Sequence, residues 1–167
     1  MVEVVHSRGK DPILMLDAQE RDLMHQLLGE MRTLLEADIP RVDEVTRRLF
    51  PDAFDDPDES NKFRELVGDE LRSAKLAAVD AFDEQLGGAG SRGISLEPET
   101  TQGLLAVLTD LRLAIGTRLG VTEEKMQIEP DPSDPEAPAM SVLHWLGWIQ
   151  ESVLAEIDGR GGRWKWS

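Results

Sequence analysis

The sequence predicts a mainly α fold, a single-domain bundle of about five helices with a small N-terminal β-hairpin. Three observations carry this. Apolar residues recur every three or four positions over long stretches, which is the spacing of one helix face. Proline, glycine and acidic clusters divide those stretches where helices would start and stop. Only residues 1–16 gather β-branched residues on either side of a turn-forming centre.

Val2, Val4 and Val5 precede the turn formers H-S-R-G-K-D-P, and the apolar run Ile13 to Leu16 follows them, which reads as a hairpin over 1–16. An isolated hairpin is marginal in water, so it needs helices beneath it or a third strand. The segment Gly93-Ile94-Ser95-Leu96 is the candidate for that strand, near 93–96. Asp17 and Glu20 form a capping-box pattern that opens a helix over 17–36, with Met24, Leu27, Leu28, Met31, Leu34 and Leu35 as its apolar stripe. Pro40 opens a second helix over 40–50, whose buried face would be Val42, Val45, Leu49 and Phe50, and Pro51 ends it.

Asp56 before Pro57, followed by Asp58 and Glu59, is a strong helix start: a cap, a proline, then acids at the positive end of the dipole. The helix over 57–86 holds Phe63, Val67, Leu71, Ala74, Ala78 and Phe82 on one face. Its alanines at 74, 77, 78 and 81 form a low ridge for a close neighbour. The glycine-rich stretch Gly87 to Gly93 stops it. A helix over 98–119 follows. Leu104, Leu108, Leu111, Ile115 and Leu119 share one face, and Leu105, Leu113 and Ala114 widen the stripe. Such a wide stripe marks a central helix with several neighbours, organised around Thr109 to Val121. Gly116 costs the helix about 1 kcal/mol relative to Ala, a cost that a close helix crossing would offset. Gly120 fits a left-handed C-cap, and Thr122 fits the N-cap of a further short turn. Prolines 130, 132, 135 and 138 then predict an exposed, mobile, extended connection. The last helix is expected over 139–157, with Val142, Leu146, Ile149, Val153 and Ile157 facing inward. The domain thus spans 1–157, and 158–167 is a flexible basic tail carrying Trp164 and Trp166.

A chain of 167 residues fits one domain that buries about 70% of its unfolded surface, enough to fold without disulfide or metal. With Cys at 0, thiol catalysis, thiolate metal sites and disulfides are excluded. No apolar run reaches membrane-spanning length and the first residues do not form a secretory signal, so a cytoplasmic location and no membrane partner are expected. Net charge is -15, with Asp+Glu 33 against Lys+Arg 18. That surface repels phosphate backbones, so nucleic acid is an expected partner only through the basic tail, whereas basic proteins are steered toward it.

No motif commits the chain to a chemistry. The glycine-rich stretch follows a helix and lacks the terminal G-K-S/T of a phosphate loop. The acidic linker P-D-A-F-D-D-P-D-E-S lacks the ligand spacing and central glycine of a calcium loop. His25 and His144 stand alone. No catalytic residue, cofactor or metal is therefore expected. The candidates are partner-binding residues. Arg112 and Arg118 are either stems snorkelling to a carboxylate or an anion or partner contact. Trp145 and Trp148, three apart on one helix side, are either core-edge residues or anchors for a partner. Trp164 and Trp166 alternate with cations in a tail able to stack on bases, or to fold back on the body.

The blocks F-R-E-L-V-G-D-E-L-R-S-A-K-L-A-A-V-D (Phe63 to Asp80), D-L-R-L-A-I-G-T-R-L-G-V (Asp110 to Val121) and W-L-G-W-I-Q-E-S-V-L (Trp145 to Leu154) join the start L-D-A-Q-E-R-D-L-M in a recognisable set. Together they resemble the actinobacterial family catalogued as domain of unknown function 2017, over roughly Val4 to Ile157. Its genes commonly lie near a Clp-protease adaptor gene, and some members are labelled transcriptional regulators. The resemblance therefore implies a regulatory or stress setting and transfers no catalytic residue.

Three functions stay open on the residues: a non-enzymatic regulatory or adaptor-type domain that binds another protein; a transcriptional regulator touching DNA through its tail; and a hydrolase hiding a carboxylate pair among its many acids. The first is the expected one. An apolar patch left over by the hairpin or by Trp145 and Trp148 would also serve a two-fold homodimer.

Overall fold

A computed structural model of the chain describes residues 2–36, 48–49, 57–87, 93–128 and 131–158, with backbone alone over 57–69 and at 123. Strands β1 (Glu3–Val5), β2 (Ile13–Met15) and β3 (Ile94–Ser95) form one antiparallel sheet in the order β1-β2-β3. The helices among the described residues are α1 (Ala18–Glu36), α2 (Pro57–Leu86), α3 (Pro98–Leu119), α4 (Glu123–Gln127) and α5 (Ala137–Asp158). The expected mainly α bundle with a hairpin and a third strand is what the chain forms. The expected helix over 40–50 lies outside the described residues except for Arg48 and Leu49, which are helical, and Leu49 is buried in the core.

Register in the sheet pairs Val4 with Leu14 and Leu14 with Ile94, so Leu14 sits mid-sheet and is fully buried. The chain reaches β3 through Gly93, whose φ of 116° is a backbone that side chains rarely adopt. A Cβ there would overlap the Leu14 carbonyl and come within 2.8 Å of the Ile13 and Met15 side chains. Glycine at 93 is thus a condition for the third strand to close on the second.

Local signals set most helix ends. Asp17 and Glu20 form the reciprocal capping box, each backbone N–H donating to the other's carboxylate at 2.9 Å. Gly120 ends α3 with φ 62°, its N–H donating to Thr117 and the Val121 N–H to Gly116, the paired bonds of a Schellman motif. Thr122 caps α4 through the Lys125 N–H. The expected irregular connection before α5 is corrected. Its residues 131–136 are exposed, but Asp131 Oδ1 accepts from the Ser133 N–H at 3.0 Å and Asp134 Oδ1 from the Glu136 N–H at 2.9 Å. Two successive Asp-Pro turns result, and the Ser133 bonds hold the Asp131 carboxyl below its usual range. α5 also starts earlier than expected. Pro138 lies in its first turn, where the missing N–H has no intrahelical partner to lose.

The core joins the sheet to all four long helices. Leu14 and Ile94 meet Met24, Leu28 and Leu35 of α1, Phe82 and Leu86 of α2, Leu104 and Leu108 of α3, and Leu146 and Ile149 of α5. α3 packs on α2 and on α5, and its Leu111 and Ala114 share a recess with Leu27 and Met31 of α1. It is the central helix, although its burial is concentrated over Thr101 to Ala114, ahead of the stretch expected to be innermost. Ile115 and Leu119 are half-buried and Arg118 is exposed.

The expected face of α2 is rotated. Among the described side chains Ala78 and Phe82 of that face do pack inward, but Ala74, Ala77 and Ala81 are exposed, Leu71 is 40% exposed, and Val79 and Leu86 are buried with Phe82. An alanine gains little from burial, so the few large side chains decide which way the helix turns. Polar pairs hold it there: Lys75 donates to Asp110 of α3 at 2.7 Å, Arg32 of α1 to Asp80 and Asp83, and His25 pairs with Asp83.

Among the described residues Gly116 does not mark a close crossing: the nearest atom to a Cβ built there is Leu143 Cδ2, at 4.0 Å. Two glycine substitutions should therefore move stability in opposite directions. Gly93→Ala is expected to lower it by about 2–3 kcal/mol through strain and overlap, and Gly116→Ala to raise it by up to about 1 kcal/mol. Both are read as shifts of the denaturant midpoint at constant slope.

Candidate functional site

The tryptophans on α5 differ in depth. Trp145 is half-buried against the core, while Trp148, one turn on, is 55% exposed. With Val2, Glu20 and His144 they line an open hollow of about 310 Å³. Trp148 therefore leaves much of a large apolar ring in water beside a half-buried one. His144 fixes one side of it. Its Nδ1 lies 2.8 Å from the Met140 carbonyl and its Nε2 2.9 Å from the Met126 carbonyl, tying the end of α4 to α5. Both neighbours are backbone carbonyls, which only accept.

Arg112 lies elsewhere on α5's surroundings. Its Nη1 donates to Gln150 Oε1 at 2.6 Å; Gln150 Nε2 donates to Thr109 Oγ1 at 2.8 Å; and the Thr109 hydroxyl donates to the Leu105 carbonyl at 2.8 Å. The guanidinium rests on the backbone of α5 at Gly147, where a Cβ would stand 3.5 Å from Cζ and Nη2. The close approach expected at Gly116 is thus made at Gly147, by a side chain rather than a helix. These groups border a cleft of about 560 Å³ between α3, α4 and α5, walled by Leu113, Gly116, Met126 and Leu143, with Arg48 also lining it.

The carboxylate that a snorkelling Arg112 would seek is absent among the described residues. Its partner is a neutral amide, and its buried Nε has none. Arg118 is exposed and borders a different recess, of about 60 Å³, beside Glu30 and Leu34 of α1. The two arginines point about 120° apart around the helix and do not converge. Trp164 and Trp166 lie outside the described residues.

Among the described residues no three of His, Asp and Glu are arranged to hold a metal ion, and no helix is long and apolar enough to cross a membrane. Two of the histidines hold carboxylates, His6 with Glu156 at 2.8 Å and His25 with Asp83. The sequence did not point to Gln150, Thr109, Val2 or Glu20 as site residues. Thr109 sits one turn before Arg112, a weak hint, and the others join only through tertiary packing.

Fold and sites together define a mainly α domain that presents an aromatic hollow and a polar-ended cleft on opposite flanks of its last helix. Residues 3–157 match the family described as Domain of unknown function (DUF2017), and the chain belongs to that family. No curated protein and no solved structure matches it.

The Arg112 network makes a checkable demand. Gln150→Leu, which strips the guanidinium of its acceptor, is expected to cost about 1–3 kcal/mol in denaturant unfolding. Gln150→Glu supplies the missing countercharge and is expected to leave stability unchanged or higher.

Proposed function

We propose that this chain is a non-enzymatic regulatory or adaptor-type domain of the cytoplasm that binds another protein through the Trp145 and Trp148 face of α5. One observation carries the reading: Trp148 is 55% exposed beside half-buried Trp145 in a hollow floored by Val2. Tryptophan offers a large, rigid contact area with little entropy to lose on binding, which is why a few such side chains dominate interface energies. Glu20 at the hollow and a net charge of -15 favour a partner that sets an apolar side chain among lysines or arginines. The regulatory setting is the one that the family resemblance implies.

Affinity capture from native lysate, run in parallel with wild type and Trp148→Ala, tests the reading. A stoichiometric basic partner held by wild type and bound at least about tenfold more weakly by Trp148→Ala is expected. Melting temperature should be unchanged, and association should slow as salt rises. Equal capture by both proteins would remove the α5 face from the interface. Recovery of no stoichiometric partner, or of a second copy of this chain alone, would reject the adaptor reading.

A further inference from the structure

We infer that the cleft between α3, α4 and α5 is a binding site for a small organic monoanion, a carboxylate with an apolar body, anchored by Arg112. Its volume of about 560 Å³ falls within the roughly 300–1,000 Å³ of small-molecule sites. Its composition is that of such a site: apolar walls from Leu113, Val121, Met126 and Leu143, a polar end from Arg112, Gln150 and Thr109, and a second cation, Arg48, on its border.

The charge at that end is unbalanced. Acidic residues number 33 against 18 basic ones, and Arg32, Lys75 and Lys125 each hold a carboxylate. Arg112 holds a neutral amide through Nη1, while Nε and Nη2 have no acceptor among the described residues. Nε is closed off from solvent, with a Cβ built at Gly147 standing 3.6 Å from it, so a carboxylate entering the cleft would be met by the outer nitrogens of the guanidinium. Withdrawing a cation from water without a counter-ion is unfavourable, and an anion arriving from solution removes that penalty. A chain of net charge -15 favours a monoanion over a phosphate dianion.

Gly116 is an independent pointer to a ligand-sized space. It weakens the middle of α3, yet among the described residues no helix crosses closely there and no positive φ requires glycine. What its missing side chain leaves open is the cleft wall. The site is separate from the aromatic hollow and does not depend on the adaptor reading.

Calorimetric titration of the full chain with octanoate, octanol, acetate and inorganic phosphate tests the inference. Octanoate is expected to bind one to one with a Kd below about 1 mM, and the other three at least about tenfold more weakly. Arg112→Met, which keeps an apolar stem without the charge, should weaken octanoate by about tenfold or more. Gly116→Leu, which fills the cleft with a good helix former, should abolish binding in a well-folded protein, so the test stands even if Arg112→Met unfolds. Trp148→Ala should bind octanoate as wild type does. Failure of octanoate to bind would overturn the inference, as would binding unaffected by Gly116→Leu, or binding lost in Trp148→Ala but kept in Arg112→Met.

Discussion

The structure turns on the side of α3 that carries Leu104, Leu108 and Leu111. These side chains are almost wholly removed from water, and around them α2, α5 and the inner face of α1 meet. Each such leucine contributes roughly 1.5–3 kcal/mol by leaving water, and none could do so with any one neighbour alone. Once α3 is held this way, the directions of its polar residues follow. Asp110 is turned to Lys75 on α2, and Arg112, half a turn on, to the backbone of α5 at Gly147. The sheet is subordinate to the same core, since Leu14 and Ile94 reach it from above.

Much of the fold was legible because its signals are local. A capping box needs only Asp17 and Glu20, a stop needs only Gly120, and a proline start needs only Pro57, so each could be read within a single turn. The third strand was legible for a different reason: a lone hairpin demands a neighbour, and few segments had the composition to supply one. What was not legible depends on distant residues. The alanines of α2 fitted a helix face by spacing, but spacing cannot weigh an alanine against Val79 and Phe82. Pro138 reads as a breaker unless it is known to fall in a first turn, where it is harmless. Gly116 and Gly147 were indistinguishable in the chain, and only packing shows which of them receives a neighbour. The candidate sites divide in the same way. Trp145 and Trp148 could be set side by side because helical spacing puts them together. The partner of Arg112 could not be placed this way, because Gln150 lies 38 positions away.

α5 separates two kinds of surface. On one side it presents Trp148 and holds the end of α4 through His144. On the other it offers the bare backbone of Gly147 as a rest for a guanidinium, and Gln150 as its acceptor. Gln150 reaches back to Thr109 as well, so this flank of α5 is joined to α3 by hydrogen bonds in addition to apolar contact.

The brevity of the sheet has a bearing on how these molecules behave when crowded. Unpaired strand margins are where one chain recruits another into fibrils, and the segments that do so run to roughly six residues. Here the middle strand is paired on both sides, and the flanking ones span three residues, Glu3–Val5, and two, Ile94–Ser95. Neither margin is long enough to template a growing stack.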